Sequence, residues 1–299
     1  MTDLIKIAVD AMGGDNSPKK IIDGVVLNHL SNKNVFYKIF GDKNKINNLI
    51  GDKINNEFYE VINTTDVVKS TDSPLEGAKR GKNTSMWLAI DSVKKKEADI
   101  VVSAGNTGAL LVISKLNLKM IENIDKPALS ALWPNKKGMS VVLDLGANIE
   151  CSAKNLLDFS IMGASLYTSL YPGDKPNVGL LNIGSEELKG NETIKETYQN
   201  LNDKKSENYN FSGYIEGNHL MDGNINVIVS DGFTGNVALK TAEGTANFIT
   251  SELKKAMTGS IIGKISSLLN ISSLKKFKKR LDPRLYNGAI FIGLDSPVV

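Results

Sequence analysis

Five times along this sequence an apolar, β-branched run stops at a short polar loop of Gly, Asn, Asp and Ser. IAV at 7–9 runs into DAMGGD at 10–15, and IVV at 100–102 into SAGNTGA at 103–109. VVLDL at 141–145 precedes GAN at 146–148, VGLLNI at 178–183 precedes GSEELKG at 184–190, and VIV at 227–229 precedes SDGFTGN at 230–236. Short continuous apolar runs of this kind read as buried parallel strands. The segments that follow them read as helices, which puts the polar loops at strand carboxyl ends, where open α/β sheets bind ligands. One such loop is a turn; five point to a site.

Composition narrows the function classes. A chain of 299 residues with a net charge of +3 lacks the basic excess of a general nucleic-acid binder. No stretch reaches the ~18 apolar residues of a membrane span. The N-terminus enters LIKIAV without a signal-peptide pattern. A single cysteine, Cys151, rules out an internal disulfide and fits a reducing cytoplasm. With only His29 and His219 beside it, a Cys/His zinc site is not expected, and no metal is assigned. Walker-type phosphate loops, calcium loops and a GxGxxG fingerprint are absent from the sequence.

The chain reads as one α/β domain over 1–299, or as two subdomains around a cleft, with a mostly parallel sheet. Ser17-Pro18 predicts an N-cap and N1 proline for a helix over about 18–30. Ser73-Pro74-Leu75-Glu76 predicts a capping box, and a further helix is expected from Ser85 to Lys96. LLDFSIMGASLYTSL reads as a well-buried helix, NVALKTAEGTANFITSELKKAM as a long amphipathic one, and 203–210 as a surface loop. In 259–281 the apolar phase breaks near Asn270-Ile271-Ser272, which predicts two short amphipathic helices. The second carries KKFKKR at 275–280. It is either a solvated face packed on its own domain or a docking surface for an anionic membrane or an acidic protein.

Main-chain N–H groups at a helix N-terminus, approached through glycine, form an anion site. Gly105 and Gly108 let the backbone approach a phosphate, while Ser103, Asn106 and Thr107 add neutral donors. Lys189 and Lys240 are the cations best placed by sequence to reach the same edge. Each residue also has a plainer reading. Asp10 and Asp15 serve equally as helix caps, and Asp231 and Asn236 as turn formers. Cys151 reads as a small buried hydrophobe and His219 as a surface or capping residue.

Taken together, DAMGGD with Pro18, SAGNTGA, LDLGAN at 143–148, LLNIGSEELKG at 180–190 and DGFTGN with LK at 231–240 resemble the bacterial phosphate acyltransferases of phospholipid synthesis. The resemblance runs in order from residue 7 to about 294. It implies a three-layer α/β/α fold of the isocitrate/isopropylmalate dehydrogenase type, related to phosphotransacetylases, in a cytoplasmic homodimer that touches the membrane peripherally. It also implies acyl-acyl carrier protein and inorganic phosphate as substrates and acyl phosphate as product, with no cofactor. Carried over, Ser103 to Gly108, Asn148, Lys189 and Asp231 to Asn236, Gly235 among them, surround the phosphate and thioester. Asp10, Gly13, Gly14 and Asp15 of the first motif join them, with Lys240. On chemical grounds Lys189 stabilises charge and Asn106 and Asn236 donate hydrogen bonds, while Asp231 orients a lysine or takes a proton from phosphate. Two departures stand out. Lys126 replaces an expected arginine before Pro-Ala-Leu, keeping charge without a bidentate fork. The chain also stops at LDSPVV, where the family continues through a short His-Gly segment, so that last element is expected to be missing.

Phosphate is then the nucleophile and the pantetheine thiolate leaves; the protein positions both reactants and stabilises the oxyanion. A covalent route through Cys151 competes, although no general base is evident near it in sequence. Three other readings stay open: a phosphotransacetylase-like enzyme using acyl-coenzyme A, a dinucleotide-dependent dehydrogenase of the same fold, and a non-catalytic membrane-docked scaffold.

Overall fold

A computed structural model describes residues 4–173, 175–260, 269–281 and 288–299. The chain divides into two units, Met1–Pro127 with Ile290–Val299, and Ala128–Ala289. All five anticipated strands form, each followed by a helix.

The first unit contains β1 (Ile5–Asp10), α1 (Lys19–Ser31), β2 (Val35–Gly41), α2 (Lys43–Ile50), β3 (Tyr59–Asn63), α3 (Pro74–Lys79), α4 (Ser85–Lys94), β4 (Ile100–Ser103) and α5 (Thr107–Asn117). Its sheet has the order β3-β2-β1-β4, and every pairing is parallel. Val9, Tyr37 and Ile39 pack against Ile22, Ile46 and Ile50 of α1 and α2, which buries the apolar stripe of each helix. The capping box at Ser73 and Glu76 forms. Ser17 does not cap α1: Pro18 occupies the N-cap position, and the Ser17 hydroxyl instead donates to the Gly13 and Gly14 carbonyls.

The second unit contains β5 (Ala128–Pro134), β6 (Met139–Leu143), α6 (Ala153–Leu170), β7 (Asn177–Asn182), α7 (Glu192–Asp203), β8 (Asn210–Glu216), β9 (Val227–Val229), α8 (Gly232–Thr258) and α9 (Ile271–Leu281). Its strands run in the order β5-β6-β9-β7-β8. Pairings from β6 to β8 are parallel, whereas β5 is antiparallel to β6. On one face Trp133, Val142, Leu145 and Ile228 form a core against Ala238, Leu239 and Ala242 of α8. In α8 only Gly232 and Gly235 are fully buried, and Val237 and Phe248 lie exposed at 53% and 66%. Helix α6 is buried along one side only, with Ile161 and Leu170 in solvent. The loop after α7 is exposed except for Ser206, which is half-buried, and Tyr209, which is buried.

Of the expected C-terminal helical pair, α9 is present, preceded by a turn at Asn270. The other member falls on residues 261–268, outside the described residues. Lys275 and Lys276 of α9 are exposed. The last strand, β10 (Ile290–Ile292), and the tail after it belong to the first unit, where the Ser103 N–H donates to the Val299 carbonyl at 2.8 Å.

Candidate active site

Each unit gathers its polar loops at the carboxyl edge of its own sheet, over a buried aspartate. In the first unit Asp10 ends β1 beside Ser103, which ends β4. The Ser103 hydroxyl donates to Asp10 Oδ2 at 2.7 Å and accepts the Gly105 N–H at 3.2 Å. The Met12 N–H reaches Asp10 Oδ1 at 3.2 Å. Burial pushes the Asp10 carboxyl above its usual range, against hydrogen bonds from Ser85, Ser103, Met12 and Gly13. The two loops touch through glycine. A side chain on Gly13 would strike the Gly105 backbone, and Gly14, at φ +82, lies against the Ala104 carbonyl.

Asn106 is the N-cap of α5. Its Oδ1 accepts the Ala109 N–H at 3.0 Å, while its amide donates to the carbonyls of Ser70 at 3.3 Å and Asp72 at 2.7 Å. The asparagine's donors are therefore committed to the fold. In this turn the N–H groups of Thr107 and Gly108 are the ones left without an intrahelical acceptor. Asp15 lies in the same loop region, exposed.

In the second unit the corresponding carboxylate is Asp144, fully buried just past β6. Its Oδ1 accepts N–H groups of Leu129, Gly146 and Ala147 at 2.9–3.1 Å, and its Oδ2 accepts the Asn148 N–H at 2.7 Å and the Asn148 amide at 2.8 Å. Burial raises its pKa, opposed by this shell of donors. The turn is sewn to α8 by the Gly232 N–H, which donates to the Asn148 carbonyl at 2.8 Å. A Cβ on Gly235 would run into the Asp144 carbonyl, so only glycine lets α8 start so close. Asp231 caps α8, accepting the Thr234 N–H at 2.8 Å and the Thr234 hydroxyl at 3.0 Å. Asn236, on the next turn, lies exposed over Gly146.

Beside this turn is a hollow of about 420 Å³, lined by Cys151, Asn191, Thr193, Asp231 and Thr234 among others. These residues belong to the amino ends of α6, α7 and α8, whose N-caps are Ser152, Asn191 and Asp231. Three positive helix poles thus meet at one strand-edge hollow. Lys189 is exposed on the loop before α7, with its main chain held by Asn182 and Glu186. Lys240 is ion-paired with Glu243 at 2.8 Å, two turns into α8. His219 is exposed and bonded to Asp222 at 2.7 Å. Cys151 is half-buried rather than a core residue.

The sequence matches the family described as "Fatty acid synthesis protein" over residues 5–299. It is 78% identical to the phosphate acyltransferase of Pelagibacter ubique over all 299 residues, which cover 90% of that protein. It is 44% identical to the phosphate acyltransferase of Rhodospirillum rubrum, covering 86% of it. The chain belongs to the phosphate acyltransferase family. Phosphate acyltransferases are acyltransferase enzymes of fatty acid and lipid synthesis, and this chain is one of that class. Among solved structures it resembles the EutD phosphotransacetylase of Staphylococcus aureus, with a TM-score of 0.61 and 15% identity over 99% of this chain and 87% of that one. A phosphotransacetylase of Streptococcus pyogenes gives 0.62 with the same identity and coverage. At that identity the likeness shows a shared fold, mixed α/β with mostly parallel sheets.

Some residues of this candidate site are not singled out by the sequence. Asp144 and Ser85 hold the turns from below, and Asn191 and Thr193 line the hollow beside Cys151, which the sequence does single out. Asp144 carries a legible signal: like Asp10, it is a carboxylate closing an otherwise apolar strand just ahead of glycine. The hollow has no such signal, because its three helix ends are far apart in sequence.

Proposed function

We propose that this acyltransferase moves an acyl group from the thioester of acyl carrier protein to inorganic phosphate, for glycerophospholipid synthesis in the cytoplasm. A phosphate oxygen attacks the thioester carbonyl; the C–O bond forms, the C–S bond breaks, and the pantetheine sulfur leaves as a thiolate that takes up a proton. The observation that carries this reading is the hollow where three helix amino ends meet, in a chain of this family. Such poles attract an anion without a resident cation, each contributing ~0.3–1 kcal/mol when exposed and up to ~2 when partly buried.

Main-chain N–H groups are the principal donors in this mechanism. Those of Thr107 and Gly108, with Gly13, Gly14, Ser103 and Gly105 shaping their loop, serve in one unit. In the other unit the Asn148, Gly232 and Thr234 N–H groups are held by Asp144, the Asn148 carbonyl and Asp231, so these residues shape the turn and the Phe233 N–H, left without an intrahelical acceptor at the start of α8, is the donor facing the hollow. Asn106 and Asp231 act as caps that aim these groups, and Asn236 offers an exposed amide. Lys189 supplies the positive charge for phosphate or oxyanion, and its Nζ has no partner among the described residues. Lys240, held by Glu243, has a weaker claim, and Asp10 and Asp15 shape the first loop.

A homodimer with peripheral membrane contact belongs to the same proposal. The exposed apolar side chains of α8 support a second copy, and the lysines of α9 support an anionic surface. A second reading, with acyl-coenzyme A as donor, is favoured by the fold shared with phosphotransacetylases. Incubating the protein with phosphate and either long-chain acyl-carrier protein or acyl-coenzyme A separates the two. Acyl phosphate from the carrier protein is expected. Product from coenzyme A thioesters alone selects the second reading, and no product from folded protein defeats both.

A further inference from the structure

The second unit holds another cavity, larger than the anion hollow and of opposite chemistry, at about 720 Å³. It lies between β5 and α8. Leu129, Ala131 and Trp133, alternate residues on one face of β5, form one wall. Ala238, Ala242 and Ala246, spaced four apart on α8, form the other. Along the line 238, 242 and 246 α8 turns alanines toward the sheet, with Leu239 and Ile249 at the sides, which leaves the space open.

The upper end of the cavity is joined to the catalytic edge. Leu145, in its lining, directly follows Asp144, and the Leu129 N–H is bonded to Asp144 Oδ1 at 3.0 Å. From there β5 runs antiparallel to β6, away from that edge, while α8 descends beside it. Leu129 to Pro134 spans about 17 Å of strand, and Ala238 to Ile249 spans about 17 Å of helix. The far end is closed by Asn135, Met221 and Lys136, the last paired with Asp222 at 2.7 Å.

The shape selects the occupant. Ala238, Leu239 and Ala242 already touch the sheet core, and about 720 Å³ spread over about 17 Å leaves a mean cross-section of only about 40 Å². A helix from another copy, ~10–12 Å across with its side chains, is too thick for it. An extended alkyl chain is not. Such a chain gains about fourfold in affinity for each methylene buried.

Resting on the acyltransferase reading above, we propose that this groove holds the acyl chain of the substrate. The thioester carbonyl then sits at the Asp144–Asn148 turn, and the methyl end lies toward Trp133. The groove is thus the chain-length ruler of the enzyme.

Two measurements test this. Trp133 lines the groove and the other tryptophan, Trp87, belongs to the first unit. In a Trp87→Phe variant, bromostearic acid should quench Trp133 emission saturably, and competing hexadecanoic acid should reverse it; unquenched emission overturns the proposal. This binding assay needs no turnover, so it stands apart from failure of the acyltransferase reading, which would show as wild type making no acyl phosphate from any thioester. Ala246→Trp should then cut turnover of hexadecanoyl-carrier protein at least tenfold and leave butanoyl-carrier protein within twofold. An equal fall at both chain lengths, or conversion of a dimer to monomer in sedimentation, overturns it.

Discussion

Asp144 and Asp10 show how a single buried carboxylate can hold a loop. Asp144 meets five donors within 3.1 Å, four of them main-chain N–H groups. Asparagine has nearly the same shape but only one acceptor atom, so its amide would face the Asn148 donors. Asp144→Asn should lose about 2–3 kcal/mol in urea unfolding, since hydrogen bonds to a charged acceptor are the strong ones. Asp10 lends itself to a pH test. Its folded pKa is raised by burial, so below the ordinary carboxyl value of about 3.8 both folded and unfolded states are protonated and nothing is lost. As pH rises above that value the unfolded chain ionises first, and the native state loses stability until its own raised pKa is passed. Asp10→Asn cannot ionise there. Stability of the variant relative to wild type should therefore climb as pH rises above about 4 and level off once Asp10 ionises in the folded state, as read by urea midpoints; a flat difference would contradict the raised pKa. Lys189 belongs at this scale as well. Lys189→Ala should lower acyl-phosphate formation at least a hundredfold with unfolding unchanged, and near-normal turnover would remove it from the mechanism.

At the scale of elements, α5 depends on one residue for both its start and its attachment. Asn106 caps the Ala109 N–H and ties the loop to the Ser70 and Asp72 carbonyls. Asn106→Ala should cost about 1–2 kcal/mol for the lost cap and raise the KM for phosphate, because the Thr107 and Gly108 N–H groups lose their aim. A raised KM for carrier protein alone would argue against this. Element by element, what the sequence displayed follows from burial. β6, β7 and β9 are buried on both faces, as is the second half of β1, so their apolar runs are continuous and easy to read; β4, at the sheet edge, is half-buried around Val101 yet carries the same run. β5 has no such run to mark it, yet its antiparallel return is written in the four-residue connection Asn135–Gly138, closed by the Asn135 N–H to the Gly138 carbonyl at 3.0 Å. Ser17 misled because a Ser-Pro pair reads as cap and N1, whereas here the hydroxyl satisfies the glycine loop before it. The hollow and the apolar groove were illegible for another reason: each is a space between elements, and spacing within one element does not encode it.

For the whole molecule, the fate of the product is the deciding problem. A long-chain acyl phosphate that leaves an apolar groove for water re-exposes its chain, at about 0.8 kcal/mol for each methylene. Release into a membrane avoids that cost. Among the described residues no helix is long and apolar enough to cross a bilayer. Helix α9 suits contact with a membrane surface: Ile271 and Phe277 are exposed at 47% and 40%, and Lys275 and Lys276 are exposed between them. Each lysine close to an anionic leaflet is worth about 1 kcal/mol. The protein should therefore sediment with phosphatidylglycerol vesicles and not with phosphatidylcholine, and salt should release it over the range where the Debye length shrinks. Replacing Lys275 and Lys276 together by alanine should weaken that binding about thirtyfold, while turnover of short-chain carrier-protein thioesters, whose product needs no bilayer, stays unchanged. Equal affinity for both lipids, or unaltered binding by the double variant, would leave α9 as a solvated face of its own unit.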